Sequence, residues 1–322
     1  IRTANAVKDL EKLIEKSSIP VTYSASAPDI YGLENLLSIG SVGIMGCSRA
    51  GNFTVQNSDL LLVFGCRLSS MTTGPDLCKF ARGAKIIVVD IDSVEHSKSD
   101  DKIDHLIISD VKEVILSLLK EDIKITNKSW VNKCIHWKNI FPRNEKKVKK
   151  SGKVDLYHLA ESFSKVLPKD SVFISDSGMI ELIFPSNLIF KAGQRCIHPA
   201  SQGSMGFALP AIIGAYFASQ KKIISVIGDG SIMMNLQELQ TLKFHNIPAK
   251  IFIINNNVYA VIRKRQKELF RKRSIGTDKS NGVSCPDFKK IAKASPLKQL
   301  IYNIPGRSIV DLSFDSFKQL NK

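Results

Sequence analysis

The sequence predicts an α/β fold made of two parallel-sheet units, each doubly wound, with helices on both faces. Three observations carry this. Helix and strand signals alternate along the chain, the order expected of sheets with crossover helices. The strand candidates are near-continuous apolar runs, as in DLLLVFG and KIIVVDI, which suits strands buried on both faces. Between them, residues 121–153 turn rich in Lys and Asn, which marks a linker. The expected division is 1–122, a linker at 123–152, and 153–322.

The first element is an amphipathic helix at about 3–16, after which Pro20 opens the short strand VTYSA. A glycine-rich stretch follows, with Gly40, Gly43, Gly46 and Gly51. Next come the strands 59–65 and 85–91, with a helix expected around Pro75–Ala81, then the strand LIISD (106–110) and the helix VKEVILSLLK. Trp130 and Trp137 sit on a helix within the linker. The second unit opens with a helix at about 155–166. The strand SVFISD (171–176) follows, ending in Asp176, and a small-residue helix covers 204–219. A βαβ unit comes next: KIISVIGDGS, a helix over 235–246, and the strand AKIFIINNN. Its two strands should run parallel, because crossovers of this kind are right-handed and return to the same sheet.

Composition removes several classes of function. No run of about 18 apolar residues is present, so no membrane span is expected, and the N-terminus lacks the apolar core of a signal peptide. Cys47, Cys66, Cys78, Cys134, Cys196 and Cys285 lie far apart with no CxxC pair. That argues against zinc and a disulfide framework, and for reduced thiols in a cytoplasmic setting. The formal net charge is +16, with basic runs at 143–153 and 263–273. Nucleic-acid binding needs a recognition module as well as charge, and none is visible. The runs read as a solvated linker and a solvated helix face, the second also placed to steer anionic substrates.

The chemistry concentrates where two parallel strands end. One ends in Gly228-Asp229-Gly230-Ser231, the other in Asn255-Asn256-Asn257. Both tips lie at the carboxyl edge of one sheet, where open α/β folds bind ligands. Gly228 and Gly230 permit close backbone approach. Ser231 offers a hydroxyl and an N–H to phosphate. Asp229 and an Asn amide are hard oxygen donors suited to Mg²⁺, which keeps phosphate oxygens and water in its remaining positions. A lone Gly-Asp-Gly would mean only a turn; with two Asn about one helix and one strand later, a Mg²⁺–diphosphate site is the stronger reading.

This GDGS–NN pattern resembles the signature of thiamine-diphosphate enzymes, and its surroundings resemble the acetolactate synthase family. GSMGFALPAIIGA, VIGDGSIMMNLQELQTLKFHNIPAKIFIINNN and GTDKSNGVSCPDFKKIAKA carry the likeness in the second unit. GSVGIMG, SDLLLVFGCRLSSMTTG and AKIIVVDID carry it in the first. The resemblance implies a central Rossmann-like domain followed by a C-terminal domain of thiamine-diphosphate-binding fold. It implies thiamine diphosphate and Mg²⁺ as cofactors, with Asp229, the Asn256 side chain and the Val258 carbonyl as metal ligands. Gly228, Gly230 and Ser231 would hold the diphosphate, and Met205, beside Ser204, would prop the cofactor in its bent shape. Ser177 and Gly178 would line the same pocket. The implied reaction is decarboxylation of a 2-keto acid followed by carboligation, in a homodimer or homotetramer.

The sequence departs from the family in places. The domain that carries the glutamate for the aminopyrimidine is not matched. The expectation is therefore a fragment or one part of a split enzyme, with a partner chain supplying that domain; a catalytically inactive remnant serving as a binding or assembly module is the alternative. After Ala294 about one strand–helix unit looks deleted. Val258 stands where relatives usually have Gly, and its Cβ would strain the turn if φ is positive there. FAD in the first unit is not favoured, because RLSSMTTG lacks the acidic pair of FAD-holding relatives; Asp90 and Asp92 read as a solvated strand end. A nucleotide-binding regulator built on the first unit is a third reading. His198, just before the cofactor segment, reads as a loop histidine with a lesser chance of facing substrate.

Overall fold

The computed structural model describes residues 1–97, 102–123, 127–143, 154–200, 202–271, 273–294 and 301–305. The chain divides into two compact units, 1–143 and 144–322. Every pairing between strands of the described residues is parallel, as the apolar strand pattern predicts.

In the first unit, α1 (Val7–Ser17) buries Leu10, Leu13 and Ile14. It stops where Ser18 turns left-handed and returns its N–H to the Ile14 carbonyl. β1 (Val21–Ser24) pairs with β2 (Ser38–Val42), a strand hidden in the glycine-rich stretch. The glycines there serve packing: a Cβ at Gly40 would run into Ser48, and one at Gly51 into the Ser41 backbone. That lets α2 (Arg49–Gln56) lie close on β2. β3 (Leu60–Phe64), β4 (Lys85–Asp90) and β5 (His105–Ile108) form a second parallel sheet in that order. The helix expected at Pro75–Ala81 is not there. α3 (Ser70–Thr73) ends before it, and the segment itself holds a single 3-10 turn, Leu77–Lys79. Asp76 caps that one turn, and left-handed Ala81 ends any continuation. α4 (Ser93–His96) is capped by Asp92, and α5 (Val111–Lys120) seats Ile115 against α1. α6 (Lys128–Ile140), which falls in the stretch read as a linker, docks Cys134 and Trp137 on Ile39 and Ala50 of this unit.

Among the described residues the second unit holds one five-stranded sheet. It comprises β6 (Ser171–Ser175), β7 (Arg195–Ile197), β8 (Lys222–Gly228), β9 (Ala249–Asn255) and β10 (Ile301–Pro305). Their spatial order is β7-β6-β8-β9-β10. β10 pairs with β9 from Ile301↔Ile251 to Pro305↔Asn255, so residues 301–305 add a strand beside β9. Alternation along the strands builds two cores. Ile223, Ile227, Ile251 and Ile253 face α9 (Ala208–Ser219), with Leu209 and Ile212, and α11 (Glu238–Phe244), with Leu239 and Leu242. Ile224, Val226, Phe252 and Ile254 face α7 (Leu156–Val166) and α8 (Met179–Asn187), through Phe163 and Phe184. This two-sided burial explains why the strands read as unbroken apolar runs. α10 (Asp229–Ile232) follows β8, α12 (Ala260–Leu269) follows β9, and α13 (Phe288–Ala294) precedes β10.

The chain leaves β6 towards β7 on one side and returns across it to β8. The direction of winding therefore reverses between β6 and β8. Such a switch point opens a crevice at the carboxyl ends of the strands. Here those ends are Asp176 and Gly228-Asp229.

Candidate functional site

Asp229 is 3% exposed. Its carboxylate accepts from the Gly230 N–H (2.8 Å), the Asn256 N–H (3.0 Å) and the Asn257 N–H (2.5 Å). One side chain thus ties the β8 tip to the β9 tip. Burial pushes its carboxyl above the ordinary value, and the backbone donors oppose that. All three partners are donors, which is the pattern of the ionised form. The Cys285 thiol also donates to Asp229; burial first, then that negative charge, push the thiol up to about 11.

The β9 tip is shaped around the same point. Asn257, not Val258, takes the left-handed conformation, with φ of 54°. Asn tolerates it well, so the strain expected of Val258 is absent. The Asn256 side-chain oxygen accepts from the Val258 N–H at 3.0 Å, and the side-chain oxygen of Asn255 is buried with no partner among the described residues. Val258 bridges to Asp278, and the Tyr259 N–H donates to the Thr277 carbonyl at 2.8 Å. The Tyr259 ring then covers Gly230 so closely that a Cβ at 230 would overlap it. Glycine at 230 is needed for this cover as well as for any ligand.

Asp176, fully buried, organises the other wall. Its carboxylate accepts from Ser177 N–H (2.8 Å), Gly206 N–H (3.0 Å), Ala208 N–H (2.7 Å) and the Ser231 hydroxyl. The helix expected from residue 204 therefore begins at Ala208. Asp176 takes the N–H groups that would otherwise be orphaned at its start, and Gly206, with φ of 82°, breaks the helix before it. Ser204 and Met205 lie on the preceding turn, with Met205 36% exposed. Its side chain is not packed inside the helix. A Cβ at Gly206 would press on Met234 and Asn235, and the Asn235 amide donates to the Gly206 carbonyl at 2.9 Å. Gly178 has φ of 89° and open space where a Cβ would stand.

The structure thus brings Ser177, Gly178, Gly206, Gly228, Asp229, Gly230 and Ser231 to the crevice between β6 and β8, and Asn256 and Val258 beside it. The Ser231 hydroxyl is turned to Asp176. Sequence reasoning missed three contributors: Tyr259, Cys285 and Glu181. The first two carry no pattern of their own; Glu181 is in the first turn of α8, a helix the sequence reading did not place. Burial, then the Asp176 charge, push the Glu181 carboxyl up to about 7.

The donor set at the tips is one carboxylate, one amide oxygen and one main-chain carbonyl, all hard oxygens of the kind Mg²⁺ takes. Among the described residues no group of three His, Cys, Asp or Glu side chains could hold a metal, so a site here relies on neutral oxygens and on a ligand's own. The open space over Gly178 at the crevice and the orphaned Asn255 oxygen at the β9 tip both fit a polar ligand at this sheet edge. In the first unit, Asp90 is not a free strand end. It pairs with His96 at 3.3 Å and accepts the Asp92 N–H. No helix among the described residues is long and apolar enough to cross a membrane.

Comparisons with known proteins agree with this geometry. Residues 1–118 match the family described as thiamine pyrophosphate enzyme, central domain, and residues 176–306 match thiamine pyrophosphate enzyme, C-terminal TPP binding domain. The acetolactate synthase large subunit of Porphyra purpurea is 32% identical over 302 residues, 91% of this chain and 50% of that protein. That of Buchnera aphidicola is 30% identical over 299 residues, covering 91% and 51%. The probable acetolactate synthase large subunit of Methanocaldococcus jannaschii is 30% identical over 304 residues, covering 92% and 50%. The chain spans about half the length of these relatives. With its central and C-terminal domains matched in order over most of its length, and its strand tips built as described, the chain belongs to the thiamine pyrophosphate enzymes, related to acetolactate synthase large subunits.

Proposed function

We propose that the second unit binds Mg²⁺ and thiamine diphosphate at the tips of β8 and β9, for decarboxylation and carboligation of 2-keto acids. The observation that carries this is Asp229. It is buried and acceptor-only, and it joins Gly230 to Asn256 and Asn257. Asp229, Asn256 and the Val258 carbonyl would hold the metal. Gly228, Gly230, Ser177 and Gly178 would admit the diphosphate, and Ser231 would meet it through its N–H. Met205, held out by the Asp176-bound turn, would support the cofactor's bend. When bound, the cofactor supplies an electron sink for the carbanion left by CO₂; the protein supplies placement and exclusion of water.

The aminopyrimidine end would be completed by a further domain, on the same polypeptide or on a partner chain. Arg263, Lys264 and Lys267 line a cleft with Val258 and Ala260, and we assign them to drawing in anionic substrate. Isothermal titration of thiamine diphosphate with and without Mg²⁺ tests the reading. Micromolar, Mg²⁺-dependent binding is expected. Asp229→Ala should weaken it by about a hundredfold, the cost of removing the one charged ligand of a partly buried ion. Equal binding by the variant would refute the assignment. Pyruvate decarboxylation by this chain alone would overturn the need for a further domain.

A further inference from the structure

Three titratable side chains lie close together at the wall of the crevice. Asp176 ends β6, Glu181 stands in the first turns of α8, and His198 follows β7. The Glu181 and His198 side chains are 12% and 4% exposed, with Oε1 and Nδ1 4.0 Å apart. The other Glu181 oxygen lies 3.5 Å from where a Cβ on Gly203 would be, so the carboxyl backs the turn that leads into Ser204-Met205. The same turn is held from the front by Asp176 through the Gly206 N–H.

We propose that Glu181 and His198 are a titrating pair behind the Gly203–Gly206 turn, and that diphosphate binding at this site depends on the charge the pair carries. This rests on the reading of the site given above.

The argument is electrostatic. Burial pushes the Asp176 carboxyl above its ordinary value, and the four donors it accepts oppose that, the bonding pattern of the ionised form. A second carboxylate beside it in a buried place is disfavoured, and Glu181 is accordingly pushed up to about 7, burial first and Asp176 second. Below that value Glu181 carries a proton and the pair is neutral or positive. Above it the pair gains a negative charge against the Gly203 turn, which leads into Ser204-Met205 at the crevice. Among the elements packed there, β7 brings one cation, Arg195, three residues before His198. Residues 202–207 of the turn carry no charge. On α7, which meets α8 through Phe163 and Phe184, Lys165 pairs with Glu161 and His158 with Asp155. Since the two groups interact, their titration belongs to the pair.

Two measurements on the full chain test this. In the cofactor-free protein, carboxyl-carbon NMR of wild type against Glu181→Gln should show one carboxyl titrating near 7, with the His198 ring shifting in step; a Glu181 midpoint near 4.5, with His198 unmoved, overturns the pair. The second is calorimetric titration with Mg²⁺ and thiamine diphosphate from about pH 5.5 to about pH 8.5, where one added negative charge at close range is worth about one pKa unit. Relative to Glu181→Gln, wild type should then lose about tenfold in affinity across that range. His198→Gln should move the loss to higher pH. Parallel wild-type and Glu181→Gln profiles overturn the coupling. No binding by either protein at any pH overturns the cofactor reading and the coupling with it, while the NMR titration still judges the pair by itself.

Discussion

At the scale of single residues, the site depends on one contact and two charges. Tyr259 lies on Gly230, so Gly230→Ala should destabilise the second unit by about 1–3 kcal/mol, the usual cost of forcing an extra methyl into a packed place. Urea unfolding measures this. If the ring is the cause, Gly230→Ala in a Tyr259→Ala background should cost much less than alone, a coupling that double-mutant analysis resolves. Glu181 adds a pH dependence with a definite sign. Its carboxyl is raised from an ordinary 4.5 to about 7 in the folded chain. The folded state therefore binds more protons than the unfolded one between those values, and stability from this group falls as pH rises through that window. The loss is on the order of 3 kcal/mol. Glu181→Gln should flatten that part of the stability profile, and an unchanged slope would refute the assignment. His198 read as a loop histidine from the sequence; only its approach to Glu181 gives it another meaning.

At the scale of elements, Asp176 does the most. It receives the first N–H of α9, at Ala208, and the Gly206 N–H before it, together with Ser177 and Ser231, so it fastens β6, α9 and α10 to one point. Asp176→Ala would leave these donors buried without a partner and should cost on the order of 3 kcal/mol. Asp176→Asn, which keeps an acceptor oxygen, should cost less. Thermal unfolding of the two variants orders them. The sequence reading placed Asp176 at a strand end but began the following helix at 204, because the small-residue run continues smoothly back to Ser204. The helix starts at Ala208 because a carboxylate distant in sequence captures its N–H groups, and periodicity cannot report that. Likewise β2 was hidden among glycines whose purpose is the close approach of α2, and the 75–81 segment looked helical although left-handed Ala81 stops it after one turn.

At the scale of the whole molecule, charge is the property with consequences. The net charge of +16 includes the basic face of α12. Arg263 is spent in part on Asp278 at 2.9 Å, and Lys264 and Arg265 lean on Glu268. Steering by this face is screened over about 10 Å at 0.1 M salt. With the completing domain of the proposed function present, we therefore expect the KM of an anionic substrate to rise several-fold from low to high salt with kcat little changed. Constant KM would assign the run to solvation alone. By itself the sequence determined the α/β class, the parallel strands, and the GDGS and Asn tips at one sheet edge. Each of these follows from local pattern: apolar runs that need two covers, and a crossover that returns strands in one direction. Tertiary structure alone decided that Asp229 bridges the two tips, that Asn257 rather than Val258 takes the left-handed turn, and that Glu181, His198 and Asp176 share a buried corner. Those depend on residues brought together across the sheet, where burial and neighbouring charge set the chemistry.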